Sequence, residues 1–66
     1  METYYDVKQF LLKYGIITYI GNRDAEIALS LIELNSLNDE GVILESDYKR
    51  AHSILLREQE RANKER

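Results

Sequence analysis

Apolar positions recur along this chain with helical periods, and three glycines cut those periods into blocks. In the first block Val7, Phe10, Leu11 and Tyr14 fall at i, i+3, i+4 and i+7, the spacing that lines one face of an α-helix. Thr3 stands at the N-cap position with Asp6 three residues on, a variant of the capping box in which the acid also meets the positive end of the helix dipole. Gly15 supplies the left-handed residue that commonly ends a helix.

In the second block, from Asn22 to about Asn38, Ala25, Ala28, Leu29 and Ile32 share one face. Ile27, Leu31, Leu34 and Leu37 lie nearly opposite, with Glu26 and Glu33 in the narrow polar strip between. Asn22 or Asp24 can cap its start, and Asn38-Asp39-Glu40-Gly41 is a stop signal. A helix apolar on two sides needs two packing partners. This one is therefore read as the centre of the fold, either sandwiched between the other helices or completing a dimer.

In the third block Ser46 is the expected N-cap, and Tyr48, Ala51, Ile54 and Leu55 face inward. Beyond Leu56 the chain keeps good helix propensity but has almost nothing to bury, so residues 58–66 are expected to project or fray. The predicted helices cover 4–14, 23–38 and 47–62. The predicted core is Val7, Phe10, Leu11, Ala28, Leu31, Ile32, Tyr48, Ala51 and Leu55, with Val42-Ile43-Leu44 covering one end. This is an all-α fold: a three-helix bundle in a single domain, 1–66, with an apolar glycine-bounded loop between helices 1 and 2.

That loop, Gly15-Ile16-Ile17-Thr18-Tyr19-Ile20-Gly21, is the least ordinary part of the chain, because loops this short are usually polar. Ile17 and Ile20 are expected to be buried, each contributing roughly 1.5–3 kcal/mol. A domain of this size removes only about 60% of its unfolded surface from water and has few other apolar groups to use.

Composition narrows the chemistry. With no cysteine there is neither a disulfide nor a thiolate metal site. The single His52, without His-x-x-x-His or Glu-x-x-His spacing, gives no metal or cofactor signature. No apolar run approaches the roughly 18 residues of a membrane span. The N-terminus opens on Glu2 and Asp6 rather than a signal pattern. A cytoplasmic protein with no membrane contact is the expectation. Proline is absent, so nothing interrupts the helical periods.

The charges are segregated. Asp24 through Asp47 carries seven acids and no base, whereas Lys49 through Arg66 carries six bases against three acids. Opposite signs favour antiparallel packing of helices 2 and 3, although exposed pairs contribute only about 0–1 kcal/mol each. A net charge of −3 argues against a general nucleic-acid binder.

Few residues suggest chemistry. Glu26 and Glu33 lie two turns apart on one face, but nothing indicates a cleft around them, and no serine or threonine stands in a nucleophile setting. His52 reads as a packed or half-exposed structural residue. No enzymatic activity is expected. Gly21-Asn22-Arg23 at a helix start could hold an anion through backbone N–H groups and the guanidinium; the simpler reading is a turn with a paired arginine. Tyr14 and Tyr48 fall on core faces. Tyr4, Tyr5 and Tyr19, interleaved with Lys8, Lys13 and Arg23, are the ingredients of a single-strand stacking surface and equally of an ordinary helix surface.

Tyr5-Asp6-Val7-Lys8-Gln9-Phe10-Leu11-Leu12-Lys13-Tyr14-Gly15, followed by Thr18-Tyr19-Ile20-Gly21-Asn22-Arg23, resembles the YqgQ-like family of short bacterial proteins. Leu37, Ile43, Tyr48, Ala51 and Ile54-Leu55 extend the resemblance over nearly the whole chain. It implies a cytosolic three-helix protein of unknown biochemical function, for which single-stranded nucleic-acid binding has been proposed and no enzymatic activity is implied. Two readings follow. One is a non-catalytic interaction module or adaptor with a protein partner, or a homodimer through helix 2. The other is a binder of single-stranded RNA or DNA through Tyr4, Tyr5, Lys8, Lys13, Tyr19 and Arg23.

Overall fold

The computed structural model describes residues 1–64, which form three helices: α1 (Tyr4–Leu12), α2 (Arg23–Asp39) and α3 (Glu45–Lys64). No strand occurs among the described residues, so the chain is an all-α three-helix bundle. Of the tail expected over 58–66, residues up to Lys64 continue α3, and 65–66 lie outside the described residues.

The helix ends follow from local chemistry. The Thr3 side chain accepts from the Asp6 amide at 3.1 Å, and the Asp6 carboxylate accepts from the Thr3 amide at 3.1 Å, closing the capping box. Asn22 caps α2 by accepting from the Ala25 amide at 3.0 Å. After α1, the Ile16 amide reaches back to the Leu11 carbonyl (3.2 Å) and the Gly15 amide to that of Leu12 (2.9 Å). After α2, the Val42 amide bonds the Leu37 carbonyl (3.2 Å) and the Gly41 amide that of Asn38 (3.1 Å). Both are Schellman closures, in which the residue after the cap must take positive φ; Gly15 at 77° and Gly41 at 71° do so. The start of α3 differs from expectation. It begins at Glu45, its first turn is closed by the Tyr48 amide on the Leu44 carbonyl (3.0 Å), and Ser46 lies inside the helix.

The core is Val7, Phe10 and Leu11 of α1, Leu34 and Leu37 of α2, and Ala51, Ile54 and Leu55 of α3. Leu31, Ile43 and Tyr48 pack against it half-buried. Helix α3, not α2, is the centre: it packs against both other helices, which touch each other little. The expected burial of Ala28 and Ile32 is accordingly wrong. Both are exposed, Ile32 at 63%, because α2 turns only the Ile27–Leu34–Leu37 side to the bundle and leaves its second apolar face bare. Tyr14 is also exposed, with its ring edge-on to Phe10 (5.4 Å between centroids). Val42 and Leu44 face solvent, so of the second linker only Ile43 covers the core.

The largest departure is in the first loop. Ile17 is 66% exposed and Ile20 53%, against the expectation that both are buried. Thr18 is buried instead and Ile16 half-buried against the core. Ile16 and Thr18 turn in, while Ile17, Tyr19 and Ile20 turn out.

Candidate functional site

The polar group under this loop is built on Glu26, one turn into α2 and buried with 7% of its surface exposed. One carboxylate oxygen, Oε2, accepts from the backbone amides of Ile20 and Gly21, both at 3.0 Å. The other, Oε1, accepts from the Lys8 ammonium, also buried, and from the Tyr4 hydroxyl at 3.1 Å. Three elements therefore meet on one carboxylate: Tyr4 and Lys8 on one face of α1 at i, i+4, the end of the loop, and α2 itself. Gly21, at φ 89°, makes the turn that carries the chain from the loop into the α2 cap.

The electrostatics follow from these contacts. The Lys8 ammonium foremost, with the Gly21 and Ile20 amides, holds the Glu26 carboxyl well below the usual carboxylate range, at about 2, against the opposing effect of burial. Burial and the bond to Glu26 push the Tyr4 hydroxyl up. Lys8 Nζ also lies over two rings, 4.0 Å from the centroid of Tyr19 and 5.0 Å from that of Tyr4. Tyr19 closes over the cation while remaining 57% exposed on its outer side. One face of each ring is thereby taken by the chain's own lysine.

A second grouping adjoins the first. The Arg23 guanidinium stacks on the Tyr4 ring, with Cζ 4.8 Å from the centroid, and pairs with Glu58 of α3. Glu58, nearly buried, also faces Arg61 at 3.5 Å. Arg57 donates to the Glu2 carbonyl (3.2 Å) and Arg50 to that of Met1 (2.7 Å), tying the N-terminal residues onto α3. Between the start of α1 and the later turns of α3 lies a cleft of about 700 Å³, lined among others by Tyr4, Tyr5, Arg23, Arg57, Glu58 and Arg61.

The six residues singled out from the sequence are thus divided. Tyr4, Tyr5 and Arg23 line the cleft. Lys8 and Tyr19 belong to the Glu26 cluster, where Lys8 is buried and paired. Lys13 lies elsewhere, at a shallow depression with Met1, Asp6, Gln9 and Phe10. Sequence reasoning missed Glu26 as the organiser, and it missed Glu58, Arg57 and Arg61. Arg57 and Arg61 did carry a signal, since their i, i+4 spacing puts both on one side of α3. His52 is half-buried, its ring tilted against Tyr48 at 5.5 Å, and Tyr48 donates to Asn35 (2.8 Å). Among the described residues no group of three His, Cys, Asp or Glu is placed to hold a metal ion, and no helix is long and apolar enough to cross a membrane.

Comparison with known proteins adds the family. The YqgQ-like family model matches residues 1–61. The chain is also 40% identical over 60 residues to a Bacillus subtilis (strain 168) protein described as "Uncharacterized protein YqgQ", an alignment that covers 91% of this chain and 84% of that one. The chain belongs to the YqgQ-like family.

Proposed function

We propose that this YqgQ-like protein is a non-catalytic interaction module that presents its first loop to a protein partner. The carrying observation is the arrangement of that loop. Its backbone is fixed from below by Glu26, while Ile17, Tyr19 and Ile20 are held out in water. A small domain gains stability by burying such side chains. A loop that is anchored and still exposes them is pre-organised for binding, which lowers the ordering cost of association. The bare outer face of α2, with Ala25, Ala28 and Ile32, extends the apolar surface available to a partner. The residues from Asp24 to Asp47 are acidic without a base, so the fitting partner is an apolar helix or strand flanked by lysine and arginine.

Nucleic-acid binding has weaker support. Lys8 is committed to Glu26, Arg23 lies at the separate cleft beside α3, and Lys13 stands apart from both. No single basic surface carries all six of the residues the sequence suggested.

The test is capture of partners from a bacterial lysate, with and without nuclease, by the wild type and by the Ile17→Ser, Ile20→Ser double variant. A partner protein that survives nuclease, is lost with the double variant, and binds the purified wild-type protein directly supports the reading. Partners lost with RNA, or bound equally by the folded double variant, overturn it. Sedimentation equilibrium over a range of concentrations checks the occupant. A mass that doubles in the wild type and not in an Ile32→Ser variant makes a second copy of the chain the partner of α2.

A further inference from the structure

The cleft between α1 and α3 shares Tyr4 with the Glu26 cluster, but its chemistry points elsewhere. Three guanidiniums, Arg23 from the start of α2 with Arg57 and Arg61 from α3, converge on it against two carboxylates, Glu2 and Glu58. One net positive charge is thereby concentrated at this mouth in a chain whose net charge is −3. The concentration is built rather than incidental. Glu58, with 12% of its side chain exposed, pairs with Arg23 and faces Arg61 at 3.5 Å, so a nearly buried carboxylate draws together guanidiniums from two helices. The outer parts of those guanidiniums remain in water, with Arg23 54% and Arg61 68% exposed. Each carries five N–H donors in a planar fork. One bond to Glu58 or to the Glu2 carbonyl leaves most of them available. Tyr4 and Tyr5 line the same cleft, and their amides are the first two of α1, which have no carbonyl of their own helix to bond and sit at its positive end.

From this juxtaposition we propose that the cleft is a binding site for a small phosphate monoester, its phosphate held by Arg23, Arg57 and Arg61. Guanidiniums from two helices lining one cleft suit a terminal phosphate, which offers three strong acceptor oxygens and close to two negative charges. A backbone diester offers two such oxygens and one charge. The cleft, at about 700 Å³, has the size of a small-molecule site rather than of a groove for a long strand. Tyr5, 64% exposed at its wall, gives the rest of the ligand a flat apolar surface. That surface suits a nucleoside, and a sugar could also lie on it.

The experiment is a titration of the full ¹⁵N-labelled chain, reading backbone amides and arginine Nε–H signals, with adenosine monophosphate, glucose 6-phosphate and inorganic phosphate as probes. A single-stranded oligonucleotide lacking terminal phosphates is the diester control. The expected result is a saturable shift centred on Tyr4, Tyr5, Arg23, Arg57 and Arg61. An Arg57→Gln, Arg61→Gln double variant, whose replaced side chains are exposed and whose fold is checked by thermal melting, should bind at least about tenfold more weakly, a loss of about 1.4 kcal/mol. Tighter binding of adenosine monophosphate than of glucose 6-phosphate assigns the site to nucleotides. Equal binding of the two assigns it to the phosphate group alone; both results support the site. A shift that does not saturate, equal affinity in the folded double variant, or tighter binding of the oligonucleotide at these residues overturns it.

Discussion

Removing the Glu26 charge should damage this protein more than removing any exposed charge. In Glu26→Gln the Lys8 ammonium stays beneath Tyr4 and Tyr19 without a counter-charge. Breaking a buried pair from one side costs about 3–5 kcal/mol. The glutamine oxygen can still accept one of the Ile20 and Gly21 amides, which offsets about 1 kcal/mol. The expected loss is therefore about 2–4 kcal/mol. A chain of this length has a total stability of roughly 3–10 kcal/mol, so the variant should lie near the edge of folding. Lys8→Met should lose less, about 1–2 kcal/mol, because the carboxylate keeps three neutral donors, the two amides and the Tyr4 hydroxyl. Combining the two replacements should cost about 1–2 kcal/mol in all, less than the sum of the singles, since neither charge is then stranded. Urea unfolding of the four proteins closes this cycle, with the denaturant slope checked for constancy. Hydrogen exchange at Ile20 and Gly21 should quicken in Glu26→Gln ahead of the core amides. Additive losses, or a Glu26→Gln protein within about 0.5 kcal/mol of wild type, would refute the view that this pair is buried and anchors the loop.

The same carboxylate sets the acid limit. Its folded pKa of about 2 lies below the ordinary value of 4.5. The stabilisation is therefore complete above about pH 4.5 and is lost as pH falls toward 2; about 2–3 kcal/mol should disappear over that window in wild type but not in Glu26→Gln. Ser30 Oγ is buried with no hydrogen-bond partner among the described residues. Ser30→Ala should therefore stabilise the bundle by about 1 kcal/mol, raising the melting temperature by roughly 4–8 °C, and a lower melting temperature would contradict this assignment. On α2, Leu34→Ala should cost about 2–5 kcal/mol and Ile32→Ala less than about 0.5 kcal/mol; chemical denaturation showing comparable losses would mean the two faces have been misassigned.

Much of the fold was legible because helix ends are written in local chemistry. Thr3 with Asp6, Asn22, and the two glycines after α1 and α2 each act within a few residues, and each performs the expected task. The inward face of α2 was not legible in the same way. Its sequence offers two apolar arcs, and only the position of α3 selects between them. The selected stripe runs through Ile27, Leu34 and Leu37 and includes a buried serine that no hydrophobic count would choose. The loop misled for a related reason. Its apolar content suggested burial, whereas only Ile16 and Thr18 took inward places and the other apolar side chains stayed outside. The site was half legible. The tyrosines and cations of α1, the loop and the start of α2 could be named, but the partners Glu26 of Lys8 and Glu58 of Arg23 lie 18 and 35 positions away in sequence and meet them only through packing.

Why the end of the loop is held by a charge, and not by packing as Ile16 and Thr18 are, follows from what it exposes. Packing would fix it through the same isoleucines that it presents, and burying them would remove the surface. Glu26 instead takes hold of two backbone amides, groups that every residue but proline possesses. Holding the loop and presenting it therefore fall to different atoms. The identities of Ile17 and Ile20 are free to be set by whatever binds them, provided the amide of residue 20 remains a donor and Gly21 keeps its positive φ. The requirement passes to Lys8 and Tyr4, which must stay in place to keep the carboxylate ionised and aimed. On this account the constrained residues of the site are the polar ones beneath the loop, and the apolar ones above it are where binding specificity resides.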